Sequence, residues 1–210
     1  MSRCKSRKAI KAKKTANKKI SKIKKTKLSA KLIKYLEKAD VKYNVLEHKT
    51  VFTAIDAAAT MKRKLNEIAK SLLVKVDKNY YIVVVPADNN VNFEKLGKII
   101  SKKENKDVKV VKIPSEKIME KVLKVKAGAI SAFGSLYKLP VIVDKKLTKI
   151  KKAVFSGGSF NHSIEMAVKD FVKLEDAILG SFSIKKKIKK STTKTEKTKK
   201  TKKQKTHKKK

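Results

Sequence analysis

Hydrophobic positions in the middle of the chain recur with the periods of both helices and strands. Leu32, Ile33 and Leu36 share one face of a predicted helix over 29–38, with Ser29 as its candidate cap. Apolar runs, alternating or continuous, predict strands over 43–47, 68–76, 80–85, 108–113, 139–144, 153–156 and 164–168. Spacing and helix-start signals predict further helices from Thr53, over 93–100, from Ser115 and over 169–174.

The runs 68–76 and 80–85 surround a short polar turn and therefore predict a β-hairpin. The second run is apolar on both faces, which is typical of a central strand. A hairpin among alternating helices and strands excludes a regular βαβ array. The pattern instead predicts one α+β domain with a mixed, curved sheet and flanking helices.

Basic residues concentrate at the two ends of the chain. The sequence holds 58 Lys+Arg and 18 Asp+Glu, for a net charge of +40. Residues 1–27 contain 13 basic residues and no acidic one, and residues 184–210 contain 15 basic residues and one acidic residue. Such segments repel themselves and bury too little apolar surface to fold. We therefore predict lysine-rich, disordered tails at 1–27 and 184–210 around a domain at 28–183.

Charge and cysteine content restrict the partners and the compartment. Lysine runs release counterions from phosphates, so nucleic acid is the expected polyanion, an anionic membrane surface is second, and an aid to solubility is the alternative. The single cysteine, Cys4, excludes an intrachain disulfide and fits a reducing, cytoplasmic setting. No apolar run approaches the length of a membrane span.

Few side chains are arranged for catalysis. The three histidines are not spaced as metal ligands, and G-x-S-x-G, P-loop and G-x-G-x-x-G motifs are absent, so we predict no metal and no cofactor. Lys70 stands inside an apolar strand, where it either points to solvent or faces a pocket that holds an anion. The predicted loop 125–136 carries Gly128 and Gly134 beside small residues, so its backbone can approach a ligand closely.

Four segments, in order, carry a resemblance to a known family. They are His48–Ala58 with its helix start, the lysine strand Ile68–Val74, the loop Lys126–Gly134 with Leu139–Asp144, and Val154–Gly158 with Ile164–Met166 and Asp170–Leu174. Together they resemble the YbaK/prolyl-tRNA synthetase editing-domain family over about residues 28–180. The resemblance implies a pocket for the tRNA 3′ end and hydrolysis of the ester that joins a wrong amino acid to the terminal adenosine.

The resemblance also implies roles for particular residues. Lys70 would contact the terminal phosphate or the substrate carbonyl, where negative charge develops during acyl transfer. Gly128 and Ser131 would belong to a catalytic loop that holds the aminoacyl end and positions a water. The positions implied to bind substrate are His48, Thr53, Ser71, Ala129, Ile130, Ala132, Gly134, Asp144, Gly157 and Gly158.

Some of these positions have simpler interpretations. Asp144 ends a predicted strand, where a carboxylate equally well caps a turn. Ser71 would serve as a strand hydroxyl satisfied by the backbone. His162, in the turn after Gly158, is predicted to lie on the surface.

Two departures from the family pattern concern activity and substrate. The family loop usually has proline where this chain has Ala132, and the cysteine-specific branch commonly has tyrosine where it has Leu46. We therefore expect a deacylase for alanine or cysteine on tRNA, with tRNA for proline as its substrate and a prolyl-tRNA synthetase as a candidate partner. The alternatives are a non-catalytic RNA-binding or ribosome-associated protein and, more weakly, a chromatin-associated basic protein.

Overall fold

A computed structural model describes residues 28–125 and 128–186 of the chain. The predicted tail 1–27 and residues 187–210 of the second tail lie outside the described residues. The described helices are α1 Ala30–Lys38, α2 Ala54–Thr60, α3 Phe93–Glu104, α4 Glu116–Leu123 and α5 Val168–Leu174. The strands are β1 Tyr43–Glu47, β2 Ile68–Val76, β3 Asn79–Pro86, β4 Asn89–Val91, β5 Val111–Lys112, β6 Val141–Asp144, β7 Lys152–Ser156, β8 His162–Ala167, β9 Ile178–Gly180 and β10 Ser183–Lys185.

Of the described strands, eight form one mixed sheet and two form a small second sheet. The main order is β1-β8-β7-β2-β3-β6-β9, with β5 on β2, and the second sheet pairs β10 with β4. The pairs β2–β7, β3–β6 and β6–β9 are parallel, whereas β1–β8, β7–β8, β2–β3 and β2–β5 are antiparallel. The predicted α+β class with a mixed sheet is confirmed.

The predicted hairpin forms between β2 and β3. Its turn residue Asp77 adopts a φ of 49°, and its carboxylate accepts hydrogen bonds from the N–H groups of Lys109 and Val110. Strand β3 is buried from Tyr81 to Pro86 and lies between β2 and β6, as its two apolar faces predict. The hairpin therefore forms the centre of the sheet.

Helices cover the sheet on both faces. Leu32 and Leu36 of α1, Met119 of α4 and Phe171 of α5 belong to the larger hydrophobic core. On the other face, α3 and the segment before β10 complete a second core with the hairpin strands. The two hydrophobic cores hold β2 between them. One edge of β2 is only partly paired with other strands.

Several predicted elements differ from the structure. The strand expected over 108–113 is reduced to Val111–Lys112, because Lys109 and Val110 bind the hairpin turn instead. Strands β4, β9 and β10 were not predicted, since each has three residues and shows no periodicity of its own. Strand β10 extends to Lys185, so the first residues assigned to the basic tail belong to the described fold.

Candidate active site

A cleft of about 510 Å³ opens where β2 separates from its neighbours. Strand β2 pairs with β7 only at Ile68 and Ala69, and with β5 only at Lys75 and Val76. Among the described residues, positions 70–74 have no strand partner on that edge. Polar, charged and apolar residues from distant parts of the sequence line the cleft. They are His48, Val51, Phe52, Thr53, Ala54, Ile55, Ala57, Met61, Ile68, Ala69, Lys70, Ser71, Leu72, Ala87, Glu116, Met119, Gly128, Ile130, Val154, Ser156, Ser159, Ser163 and Lys186.

Lys70 lies in this cleft and is half-buried. Burial lowers the pKa of its ammonium group below the ordinary 10.5, and the nearby positive charge of Lys186 lowers it further. Within the described residues, Lys70 forms no ion pair that would offset this loss of solvation. The cleft therefore holds a partly desolvated cation that an anionic ligand would stabilise.

The loop that begins at Gly128 borders the cleft opposite β2. Gly128 has a φ of 91°, and a Cβ there would lie 3.4 Å from a ring carbon of Phe160 and 3.5 Å from the carbonyl oxygen of Phe52. The left-handed backbone favours glycine at this position. Ile130 also lines the cleft, so the loop contributes backbone and one apolar side chain to it.

Ser131 and Ala132 lie behind this surface. Ser131 is 1% exposed, and its hydroxyl oxygen accepts from the N–H of Phe133 at 3.3 Å. The N–H of Ala132 donates to the carbonyl oxygen of Ser156 at 3.0 Å. Neither residue lines the cleft, and both of these hydrogen bonds fix the conformation of the loop.

Polar residues that follow β1, cap α2 and lie in β2 also line the cleft. His48 Nδ1 lies 2.8 Å from the carbonyl oxygen of Lys49, and Nε2 lies 3.0 Å from the Ser163 hydroxyl. Because a carbonyl only accepts, Nδ1 carries the hydrogen, and in the neutral ring the Ser163 hydroxyl donates to Nε2. Thr53 caps α2 by accepting from the N–H of Asp56 at 3.1 Å. The buried hydroxyl of Ser71 has no partner within the described residues, so it is not satisfied by the backbone.

Asp144, expected among the substrate-binding residues, does not line the cleft. Its carboxylate is 0% exposed and accepts hydrogen bonds from the N–H groups of Lys146 at 2.8 Å, Phe182 at 2.9 Å and Ser183 at 2.8 Å. All three donors are backbone groups of the turn after β6 and the segment leading into β10. The turn-capping interpretation describes this residue correctly.

Four more predicted positions also lie outside the cleft lining. A Cβ on Gly134 would stand 2.5 Å from the carbonyl oxygen of Leu139, so this glycine is required by a close approach within the fold. A Cβ on Gly157 would stand 2.6 Å from Leu28, which shows that Gly157 packs against the helix layer. Gly158 lies against the loop from Gly128, since its Cβ would stand 3.8 Å from the carbonyl oxygen of Ala129, and neither residue lines the cleft.

Sequence reasoning missed several residues that the fold brings to the cleft. Phe52 is 68% exposed at the mouth of the cleft, with its ring centroid 5.2 Å from that of Phe160. Glu116 at the start of α4 and Lys186 after β10 also line the cleft. No local pattern marked these residues, because each comes from a different part of the sequence. His162, predicted at the surface, is buried at 2% exposure and lies 2.8 Å from the Asn161 side chain.

Residues 28–125 and 128–186 contain neither a cluster of metal ligands nor a membrane-spanning helix. No three His, Cys, Asp or Glu side chains in these ranges cluster as metal ligands would. No helix in the same ranges is long and apolar enough to cross a bilayer.

Comparisons with known proteins bear on the sequence and on the fold. The family model described as "aminoacyl-tRNA editing domain" matches residues 48–174, more than half of the chain. The fold is similar to that of the hypothetical protein APE2540, with 21% identity and a TM-score of 0.65 over 73% of this chain and 99% of that chain. It is also similar to a proposed trans-editing enzyme for prolyl tRNA synthetase, with 19% identity and a TM-score of 0.62 over 75% of this chain and 99% of that one.

A third similar structure belongs to a longer protein. It is a proposed signal transduction protein from Marinobacter aquaeolei VT8, with 15% identity and a TM-score of 0.56 over 75% of this chain and 31% of that chain. At these identities the similarity of the structures establishes the fold alone.

Proposed function

The chain belongs to the family of aminoacyl-tRNA editing domains, and on that premise we propose that it removes a wrongly attached small amino acid, alanine or cysteine, from tRNA for proline, acting in trans. Deacylase activity and a tRNA substrate follow from membership of the family. The amino acid, the tRNA and the action in trans are the proposal. A similar structure named for trans-editing beside prolyl tRNA synthetase supports it.

The half-buried ammonium of Lys70 is the observation that supports ester hydrolysis at this cleft. When water attacks an ester, negative charge develops on the carbonyl oxygen, and a pre-positioned cation in a site with little water stabilises that charge. Lys70 is such a cation, and it faces a cleft bordered by the loop from Gly128. We assign Lys70 to the developing oxyanion or to the adjacent phosphate.

Charges of both signs line the cleft. An aminoacyl ester at the end of tRNA carries a free α-ammonium group and, a few bonds away, phosphates. Glu116 supplies a carboxylate for the ammonium group, and Lys70 supplies a cation for the phosphate or the oxyanion. Ser71 also lines the cleft, and we assign its hydroxyl, which has no partner within the described residues, to a hydrogen bond with the substrate.

The aromatic pair at the mouth of the cleft suits a nucleobase. Phe52 is largely exposed, and its ring packs at a tilt against the ring of Phe160, which restricts its orientation. Base–aromatic stacking is tolerant of sequence and typically contributes about 1–3 kcal/mol per base. We assign Phe52 to the terminal base of the tRNA.

Hydrolysis at this cleft needs no side-chain nucleophile. Water adds to the ester carbonyl, the bond from the carbonyl carbon to the ribose oxygen breaks, and the ribose oxygen takes up a proton. The ester is already activated, so positioning and electrostatic stabilisation are sufficient, and a substrate hydroxyl or a second water relays the proton. We assign the orientation of the attacking water to the backbone of the loop from Gly128, which lines the cleft.

We further propose that the protein is cytoplasmic and that prolyl-tRNA synthetase is a partner. Its basic ends would add non-specific affinity for tRNA phosphates. Counterion release by lysines would raise the encounter rate without choosing a sequence. This part of the proposal rests on the composition of residues 1–27 and 184–210.

A deacylation assay tests the proposed function. The full-length protein is incubated with tRNA for proline that carries alanine, cysteine or proline, and the surviving ester is measured with time. We expect faster loss of alanine or cysteine than of proline. Lys70→Gln should lower the rate roughly 100- to 1,000-fold, the effect of removing one group that stabilises the oxyanion.

Lys75→Gln is the matched control, because Lys75 lies on the same strand and its ammonium contacts the Tyr80 ring instead of the cleft. It should retain the wild-type rate. If the wild-type protein leaves both alanyl and cysteinyl esters intact, the proposed specificity is wrong. If Lys70→Gln remains active while folded, Lys70 does not stabilise the transition state.

A further inference from the structure

Lys186 is the second cation of the cleft, and it lies outside the part of the chain that the family model matches. The match ends at residue 174, whereas Lys186 follows β10 and lines the same cleft as Lys70. Family membership therefore assigns it no role. Its place at the cleft has to be explained from the contacts that hold it there.

The segment that carries Lys186 is fixed from several sides. Strand β10 pairs with β4, and the N–H of Lys186 donates to the carbonyl oxygen of Asp88 at 2.8 Å. The buried carboxylate of Asp144 accepts from two N–H groups at the start of this segment, and the ammonium of Lys146 donates to the carbonyl oxygen of Ser183 at 3.1 Å. The backbone position of Lys186 is thus set by the fold.

Two ammonium groups that line one cleft repel each other. The positive charge of Lys186 contributes to the lowered pKa of Lys70, so the two groups interact electrostatically in the unliganded protein. Lys186 is exposed, so solvent screens part of this repulsion. An anion bound between the two ammonium groups would turn this repulsion into attraction.

We propose that Lys186 and Lys70 together bind one phosphate group of the RNA acceptor end, the phosphate that joins the last two nucleotides. The inference rests on the proposed function, because that function places the 3′ end in this cleft. Lys186 acts as a substrate-binding residue, and Lys70 is shared between this phosphate and the reacting ester. Strand β10 extends the site beyond the family's matched segment.

Two substrates that differ in the terminal phosphate provide the test. One is an aminoacylated RNA microhelix, and the other is the same amino acid esterified to adenosine, which lacks the phosphate. In the full-length protein, Lys186→Gln should raise KM for the microhelix about tenfold and leave kcat nearly unchanged. It should also reduce the slope of log KM against log salt by about 0.7, the value for one contact with single-stranded RNA. On aminoacyl-adenosine the variant should match the wild type.

Lys185→Gln is the matched control, since Lys185 is the adjacent residue, pairs with Asn89 in the small sheet and does not line the cleft. It removes the same charge and should change neither substrate's KM. Thermal unfolding of both variants verifies that they fold. Equal losses in the two variants, or an equal loss on aminoacyl-adenosine, would overturn the inference, because Lys186 would then act through the general field.

A binding measurement separates this inference from the proposed function. An RNA microhelix with a 3′-amide-linked amino acid cannot be hydrolysed, and its affinity is measured directly by fluorescence anisotropy. Weaker binding by Lys186→Gln than by Lys185→Gln supports the phosphate site even if no ester is cleaved. Equal binding by the two variants refutes it even if the wild-type enzyme is active. Inorganic phosphate should compete with the microhelix in the wild type more strongly than in Lys186→Gln.

Discussion

Replacing Asp144 by alanine separates a structural carboxylate from one that binds substrate. The side chain accepts three backbone hydrogen bonds of 2.8–2.9 Å, two of them from Phe182 and Ser183. Phe182 is fully buried and Ser183 is 9% exposed, so water cannot easily replace the lost acceptor there. Lys146 is exposed, and its N–H can bind water instead.

The expected loss of stability follows from these donors. Each buried donor left without a partner costs about 1–3 kcal/mol, so two of them give about 4 kcal/mol. For a domain of this size, that corresponds to a fall of roughly 8–16 °C in Tm. Asp144→Asn should lose less, because the amide keeps one acceptor oxygen while its NH₂ group faces a donor.

Urea unfolding and deacylation, measured on the same samples, provide the assay. Asp107→Ala is the control, because Asp107 is an exposed carboxylate, and its effect should stay within about 0.5 kcal/mol. Below its lowered Tm, Asp144→Ala should retain kcat and show a raised KM, because the segment that carries Lys186 loses its anchor. Full stability combined with a large fall in kcat would refute this reasoning and place Asp144 at the reaction.

Three further outcomes follow from the same structure. Gly134→Ala should lower the free energy of unfolding by about 1–3 kcal/mol in thermal unfolding, because the new Cβ would meet the Leu139 carbonyl oxygen at 2.5 Å. KM should not change. A changed KM at full stability would show that Gly134 contacts the substrate. Phe52→Ala should weaken binding of the amide-linked microhelix about tenfold, because it removes the ring that stacks on the terminal base. It should not weaken binding of a microhelix that lacks the terminal base. Equal losses of affinity for the two microhelices would exclude stacking. Affinity for the amide analogue should fall with rising pH already below 10.5, the ordinary lysine pKa, because the pKa of Lys70 is lowered. Lys186→Gln should move this fall to higher pH, because it removes the positive charge that lowers the pKa of Lys70. An unchanged pH dependence would exclude an electrostatic interaction between the two lysines.

The effect of Lys70 on stability has a definite sign. Its pKa is lowered in the folded protein, so the folded state binds this proton less tightly than the unfolded chain does. The charged group therefore opposes folding at low pH. That penalty is relieved as the pH rises through the lowered pKa toward 10.5. Bound phosphate would act in the opposite direction by favouring the charged form.

The sequence predicted the elements whose signals are local. Strands β2 and β3 have long apolar runs and a two-residue turn, so their pairing could be predicted from neighbouring residues. The cleft is different, because it exists only where β2 leaves β7 beyond Ala69. Sequence alone offers no measure of that divergence, and the position of Lys70 at the cleft came from the family resemblance.

The charge pattern of the sequence did not indicate that Lys186 belongs to the cleft. Lys186 lies in a run of lysines, and its local composition assigned it to a tail. The contacts that hold it come from Asp88 and Asp144, distant in sequence, and from the short strand β4. A three-residue strand has too little periodicity to be recognised, so this part of the fold could be found only from coordinates.

The loop from Gly128 shows how a departure from the family pattern can preserve a site. Proline at position 132 would fix φ but could not donate a hydrogen bond. Ala132 instead donates its N–H to the carbonyl oxygen of Ser156, which ties the loop to the end of β7 beside the cleft. The Ser131 hydroxyl accepts from Phe133 and stiffens the next step of the chain. A hydrogen-bonded loop thus takes the place of a ring-constrained one, and it fixes the backbone near Gly128, where we propose that a water is oriented.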